Sequence, residues 1–142
     1  NSNGNVILTC TIGDISESFS TIEKYIILLS EEPQDEVLAE AIFNDEGINM
    51  MLSEYGAIDY SILGQQSIKL NMKPGYMFDY SMKIQQLDFI IASLNRTYLF
   101  IVDGKVFNFT FQVFSLDGAE TKEKFKKNNF LMHMITNSII FH

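Results

Sequence analysis

An α+β fold, a twisted antiparallel β-sheet meander with helices packed on one face, is the architecture this sequence predicts. Three observations predict it. Residues 94–102 and 105–114 flank Asp103-Gly104, with Phe107, Phe109, Phe111 and Val113 alternating against Asn108, Thr110 and Gln112. Asp-Gly supplies the two positive-φ positions of a two-residue type I′ turn, so the stretch is a hairpin. The apolar period changes from helical to alternating at Ala57 and stays alternating through the centre of the chain. A helical stripe returns only after Asp117-Gly118, which segregates helices from strands instead of alternating them.

Taken in order, residues 6–12 are a β-branched run closed by Gly13-Asp14 and read as the first strand. Residues 18–30 turn helical: Ser20 and Glu23 form a capping box, Phe19 stands where a hydrophobic staple would, and Ile22, Ile26 and Leu29 share a stripe. Pro33 ends or interrupts that helix. A second helix covers 34–43, with Val37, Leu38, Ala41 and Ile42 apolar and Asp35, Glu36 and Glu40 outside. Gly47 separates it from 48–55, a helix or an irregular turn. Tyr60, Ile62, Gln66, Ile68 and Leu70 mark a strand, or a bulged pair, around Gly64. Lys73-Pro74-Gly75 reads as a turn. Tyr76, Phe78, Tyr80, Met82 and Ile84 give the next strand one apolar face, and the long strand that enters the hairpin opens at Gln86. An amphipathic helix around Phe125 then runs to Thr136, and residues 138–141 close the chain as a short strand.

One domain over residues 1–142 is expected, and 46% hydrophobic content with 12 Phe, 6 Tyr and only 2 Pro excludes a disordered chain. The longest apolar run, residues 25–29, falls far short of the ~20 needed to cross a bilayer, so no membrane span is expected. The chain opens on Asn-Ser-Asn-Gly without an initiating Met. The native start is therefore expected to be missing, and a bacterial cell envelope or the cytoplasm is the expected location. Cys10 is the only cysteine, which excludes an internal disulfide, and its strand setting predicts a small buried hydrophobe. Charge is unevenly placed: 12 acids accompany Lys24 alone in residues 1–60, whereas 61–142 carry 9 basic against 6 acidic side chains. An acidic half repels phosphate, so nucleic acid is not an expected partner.

Several stretches resemble the PsbP-like family. They are the Ile-Glu-Lys-Tyr helix at 22–25, Ile62-Leu63-Gly64-Gln65-Gln66 ahead of a strand ending in 76–80, and Gly104-Lys105-Val106-Phe107 leading into Phe109-Thr110-Phe111. A closing helix with Phe125 and Phe130, and the end Asn137-Ser138-Ile139-Ile140-Phe141, complete the pattern over residues 5–141. The sequence departs from it in lacking a tryptophan-bearing opening strand pair and in a longer acidic stretch at 31–55. The family includes a photosystem II subunit, the nuclear Ran-release factor and small bacterial accessory proteins. The resemblance implies action by binding and not by catalysis.

Reactive groups are scarce. With His133 and the terminal His142 as the only histidines, and no Gly-rich phosphate loop, the residues needed for a nucleophile, base and orienting group do not converge. Asn44-Asp45-Glu46-Gly47 lacks the spacing of a calcium loop. No enzyme activity, metal or cofactor is expected, and His133 reads as a helix-face residue satisfied by a carboxylate or water. Asn95-Arg96-Thr97 and Asn108-Phe109-Thr110 match the glycosylation sequon but lie inside paired strands.

The hairpin register sets Tyr98, Phe100, Phe107 and Phe109 on one face and Leu99, Ile101, Val106 and Asn108 on the other. Antiparallel sheets commonly hydrate one face, so a second apolar face predicts a cover. Another protein offering an apolar or basic segment, a second copy in a homodimer, or the chain's own acidic helices would serve. Leu99, Ile101, Val106 and Asn108 are thus the expected partner-binding residues of a non-enzymatic accessory or chaperone module with an acidic rim. Seven methionines suit a surface that repacks around apolar partners. The alternative is a carrier of a small apolar ligand, in a sheet–helix cavity lined by Phe78, Tyr80, Tyr98 and Phe109.

Overall fold

The computed structural model describes residues 6–14, 34–115 and 121–140. The predicted helix at 18–30 with its capping box, and Pro33, lie outside them. Strand β1 (Val6–Asp14) is followed by helices α1 (Gln34–Ile42) and α2 (Asp45–Glu54). Strands β2 (Asp59–Leu70), β3 (Lys73–Gln86), β4 (Phe89–Val102) and β5 (Lys105–Ser115) come next, then α3 (Thr121–Asn137). The sheet is wholly antiparallel in the order β1-β5-β4-β3-β2, so the α+β class holds.

The Asp103-Gly104 hairpin forms as its chemistry dictates. Asp103 (φ 51°) and Gly104 (φ 73°) both take positive φ, and Val102 pairs with Lys105, Phe100 with Phe107 and Tyr98 with Phe109. The turn before β3 is placed differently from the expectation at 73–75. It lies at Asn71 (φ 50°) and Met72 (φ 66°), and Lys73, Pro74 and Gly75 already belong to β3. Asn tolerates the left-handed region, and Pro74 sits one residue outside the β3–β4 ladder, where its missing N–H breaks no bond. Gly75 is needed for close approach: a Cβ there would stand 2.4 Å from Phe100 Cδ1 and 2.6 Å from the Leu99 carbonyl oxygen.

Strand β2 is bulged between Ile62 and Gly64, as the sequence allows. The extra residue inverts the side-chain alternation. Tyr60 and Ile62 join one core with Tyr80 and Met82, while Ile68 and Leu70 join another with Phe100 and Met132.

Helices pack on both faces, not on one. Ile48 and Leu52 of α2 cover Tyr76, Phe78, Tyr80, Met82 and Leu99, and Leu38 and Ala39 of α1 cover Ile101. Met132 of α3 packs on the opposite face, against Tyr98, Phe100, Phe111 and Val113. The hairpin's second apolar face is therefore buried by the chain's own acidic helices. Asn44 caps α2, its Oδ1 accepting from the Gly47 N–H at 3.0 Å, so the helix break falls at 43–44 and Gly47 lies in the first turn of α2. The predicted closing strand is not formed at 138–140: the Ser138 and Ile139 amides donate back to α3 carbonyls of Met134, Ile135 and Thr136, which winds the chain off as a turn. Phe141 lies outside the described residues. Among those residues, no helix is long and apolar enough to cross a membrane.

Candidate functional site

The residues expected to meet a partner are divided by the helices. Leu99 (2% exposed) and Ile101 (0%) are core residues under α2 and α1. Val106 packs half-buried beside them, and Asn108 is half-buried further along the same face. The residues expected to line one apolar cavity do not share one. Phe78 and Tyr80 face α2, whereas Tyr98 and Phe109 face α3. A two-residue turn pairs an even-numbered residue with an odd-numbered one, so Phe78 stands opposite Thr97 and Tyr80 opposite Asn95.

Among the described residues, two concave sites lie on the α1–α2 side. The first is a groove of about 510 Å³ between α1 and the β2–β3 end of the sheet. Ala39, Phe43 and Pro74 give it an apolar wall, Glu36 and Glu40 an acidic rim, and Ser67 and Lys69 a polar border on β2. One turn separates the two glutamates on α1, so both lie over the same side of the helix. Lys69 Nζ reaches Glu36 Oε1 at 3.0 Å, an exposed pair that leaves Glu40 as the rim's second acid. Asp35 is turned elsewhere: its two carboxylate oxygens accept from the backbone N–H groups of Asp103 and Gly104, each at 3.1 Å, and clasp α1 to the hairpin turn. Among the described residues β2 has no neighbour on its outer side, so the groove runs along an open strand edge.

The second site is a cleft of about 310 Å³ where the sheet extends beyond α2. Thr9 and Thr11 of β1 and Asn108, Thr110 and Gln112 of β5 form its floor. Tyr55, Tyr80, Met82 and Ile84 form its wall. The floor is wired together, Thr97 Oγ1 bonding Thr110 Oγ1 at 2.8 Å and Thr110 Oγ1 donating to Asn108 Oδ1 at 2.8 Å. Burial pushes the Tyr80 hydroxyl pKa up to about 12, against the opposing hydrogen bond of Thr97, so that phenol is uncharged at neutral pH.

A third cluster lies beneath α3. Arg96 grips Asp79 with two bonds, Nε to Oδ1 at 2.6 Å and Nη2 to Oδ2 at 2.7 Å. Its Nη1 donates to Asn129 Oδ1 and to His133 Nε2, the latter at 3.2 Å, and the guanidinium carbon lies 5.4 Å from the Phe125 ring centre. A guanidinium only donates, so His133 Nε2 accepts and its ring proton sits on Nδ1, 3.0 Å from the Tyr98 hydroxyl. The partners of His133 are thus Arg96 and Tyr98, in place of the expected carboxylate or water. Burial first, and then the Arg96 charge, depress the His133 pKa, with Asp79 opposing. The Asp79 bond holds Arg96 above its ordinary value. Every member has a partner within the cluster, which fastens α3 to β3 and β4.

Cys10 is exposed, contrary to its expected burial. It stands on the edge strand β1 opposite Phe109, outside the packing of α3 onto Tyr98 and Phe111. Among the described residues, no three His, Cys, Asp or Glu side chains gather as a metal site. Asn95 and Asn108 of the two sequons lie in paired strands, Asn95 fully buried.

No known protein family matches the sequence, and no curated protein matches it. Among solved structures the chain is similar to PA94, a protein of unknown function from Pseudomonas aeruginosa, with a TM-score of 0.54 and 8% identity over 99% of this chain and 85% of that one. A likeness at that identity is one of fold alone. Alignment with CyanoP, the cyanobacterial PsbP of Synechocystis sp. PCC 6803, gives a TM-score of 0.48 and 10% identity over 95% of this chain and 66% of that one, which carries no argument about this protein.

Proposed function

We propose that the protein is a non-enzymatic binding module that takes a basic and apolar segment of another protein in the groove between α1 and β2. The observation that carries this reading is the pairing of an apolar wall, Ala39, Phe43 and Pro74, with the acidic rim of Glu36 and Glu40. Apolar side chains of the segment would leave water against Phe43, and its lysines or arginines would meet the two carboxylates. Among the described residues the outer edge of β2 is unpaired, and it would offer main-chain groups to an extended segment laid along it. The surrounding helices are acidic, with Asp45 and Glu46 in the first turn of α2, and they raise the on-rate for a cation. The PsbP-like resemblance of the sequence points to the same class, since those proteins act by binding.

Fluorescence anisotropy with a labelled short peptide alternating Lys and Leu tests the reading. Wild-type protein is expected to bind it, and to release it as salt rises, while a Glu and Leu counterpart stays free. Glu36→Lys with Glu40→Lys, both on the surface, abolishes binding without unfolding. Lys69→Ala frees Glu36 and tightens it. Equal binding of the acidic peptide, or indifference to the double charge reversal, refutes the groove as the site.

A further inference from the structure

The cleft beyond α2 is a separate site with a different chemistry, and we infer that it binds a small neutral molecule, about the size of one hexose, bearing hydroxyl or amide donors on one edge and an apolar face on the other. Size comes from the cavity, about 310 Å³, at the low end of the range that small-ligand sites occupy. Neutrality comes from its lining. Thr9, Thr11, Asn108, Thr110 and Gln112 are all uncharged and polar, and among the described residues no ionised side chain lines the cleft to compensate an ionic ligand leaving water. The two-sided character comes from the wall, where Tyr55 and Ile84, backed by the buried Tyr80 and Met82, offer apolar surface across from that polar floor.

A second observation points to a ligand with donors. Asn95 stands between Tyr80 and Gln112 in the strand register, and both of those neighbours line the cleft. It is 0% exposed, yet among the described residues its Oδ1 has no hydrogen-bond partner. The amide nitrogen is committed to Ser93 Oγ at 3.0 Å and the Tyr80 carbonyl at 3.4 Å, which fixes the orientation of the side chain and turns the oxygen away from both acceptors. A buried carbonyl without a donor is unfavourable, and folded chains keep few of them. Its chemistry asks for an O–H or N–H. Gln112, long and half-buried, is the side chain that would move aside to let the deepest donor of the ligand reach it.

Titration of labelled protein with glucose and with N-acetylglucosamine, followed through backbone amide resonances, tests this. One of the two is expected to shift the amides of Thr9, Thr110 and Gln112 in a saturable manner, and glucuronate and glucose 6-phosphate are expected to bind at least about tenfold more weakly. Tyr55→Ala, at an exposed wall position, raises the dissociation constant about tenfold. Asn95→Leu, of similar volume, removes the sugar response while leaving thermal stability near wild type, because it deletes the unpaired oxygen. Should that variant not fold, Gln112→Ala and Tyr55→Ala carry the test. Absence of a saturable response to either neutral sugar, equal binding of the charged ones, or shifts confined to the α1 groove overturns the inference, as does an Asn95→Leu protein that binds unchanged.

Discussion

Replacing Asp79 by Ala removes the carboxylate that neutralises a buried guanidinium. The Arg96 side chain is only 9% exposed and meets Asp79 through two bonds of 2.6 and 2.7 Å, which leaves Asn129, neutral His133 and the Phe125 ring as its other partners. Breaking one side of a buried ion pair costs about 3–5 kcal/mol, and the 22% exposure of the Asp79 side chain sets this case at about 3 kcal/mol. With a urea slope of about 2 kcal/mol/M, the midpoint of unfolding followed by far-UV circular dichroism falls by about 1.5 M. The double variant Asp79→Leu with Arg96→Met removes both charges and is expected within about 1 kcal/mol of wild type, since an apolar pair of like volume replaces an ion pair at little net loss. A single variant whose midpoint stays at the wild-type value, or a double variant as unstable as the single, would falsify the claim that Asp79 exists to hold Arg96.

The His133 ring supplies a pH dependence of determined sign. Its folded pKa lies below the ordinary value of 6.5, so its share of stability is complete above that value and is lost as pH falls through the depressed one. Stability measured from neutral to mildly acidic pH is therefore expected to decline less in His133→Phe than in wild type, and identical slopes in the two proteins contradict it. Gly75→Ala drives a methyl onto the Leu99 carbonyl and the Phe100 ring; a loss of about 2 kcal/mol, seen as a Tm lower by about 6 °C, is expected, and an unchanged Tm refutes the close approach. Asp35→Ala releases the two turn amides of the hairpin, for about 1.5 kcal/mol, and speeds hydrogen exchange at Asp103 and Gly104; unaltered exchange there counts against the clasp.

The hairpin and its register were legible because Asp103-Gly104 and the alternation of Phe107, Phe109 and Phe111 act over a few residues. Lys73-Pro74-Gly75 misled because Pro and Gly punctuate turns in general, while here Pro74 only opens a strand and Gly75 makes room for Phe100. The turn at Leu87 and Asp88 carries no Gly or Pro, with Leu87 at φ 53°, and without it the parity between β3 and β4 could not be read. That one missing turn grouped Phe78 and Tyr80 with Tyr98 and Phe109, which stand on opposite faces. Leu99 and Ile101 were correctly seen as an apolar face, but the alternation of a strand does not say which helix lies over it. Glu36 and Glu40 were legible as outward acids of their helix, while the groove they border depends on the approach of α1 to β2 and β3. Asn95 lay hidden inside a sequon, since only packing reveals an oxygen that finds no partner among the described residues.

The strand order has a consequence for synthesis. Strands β2 to β5 join neighbour to neighbour through tight turns, but Val6 of β1 pairs with Val113, so β1, made ahead of those four, must wait until nearly all of them have been translated. During that delay the Val-Ile-Leu-Thr-Cys-Thr-Ile run emerges from the ribosome with its mate still unmade, a β-rich segment open to pairing with any nascent neighbour. Completion of the sheet is thus timed by the arrival of β5, the strand that joins β1 to the β2–β5 meander.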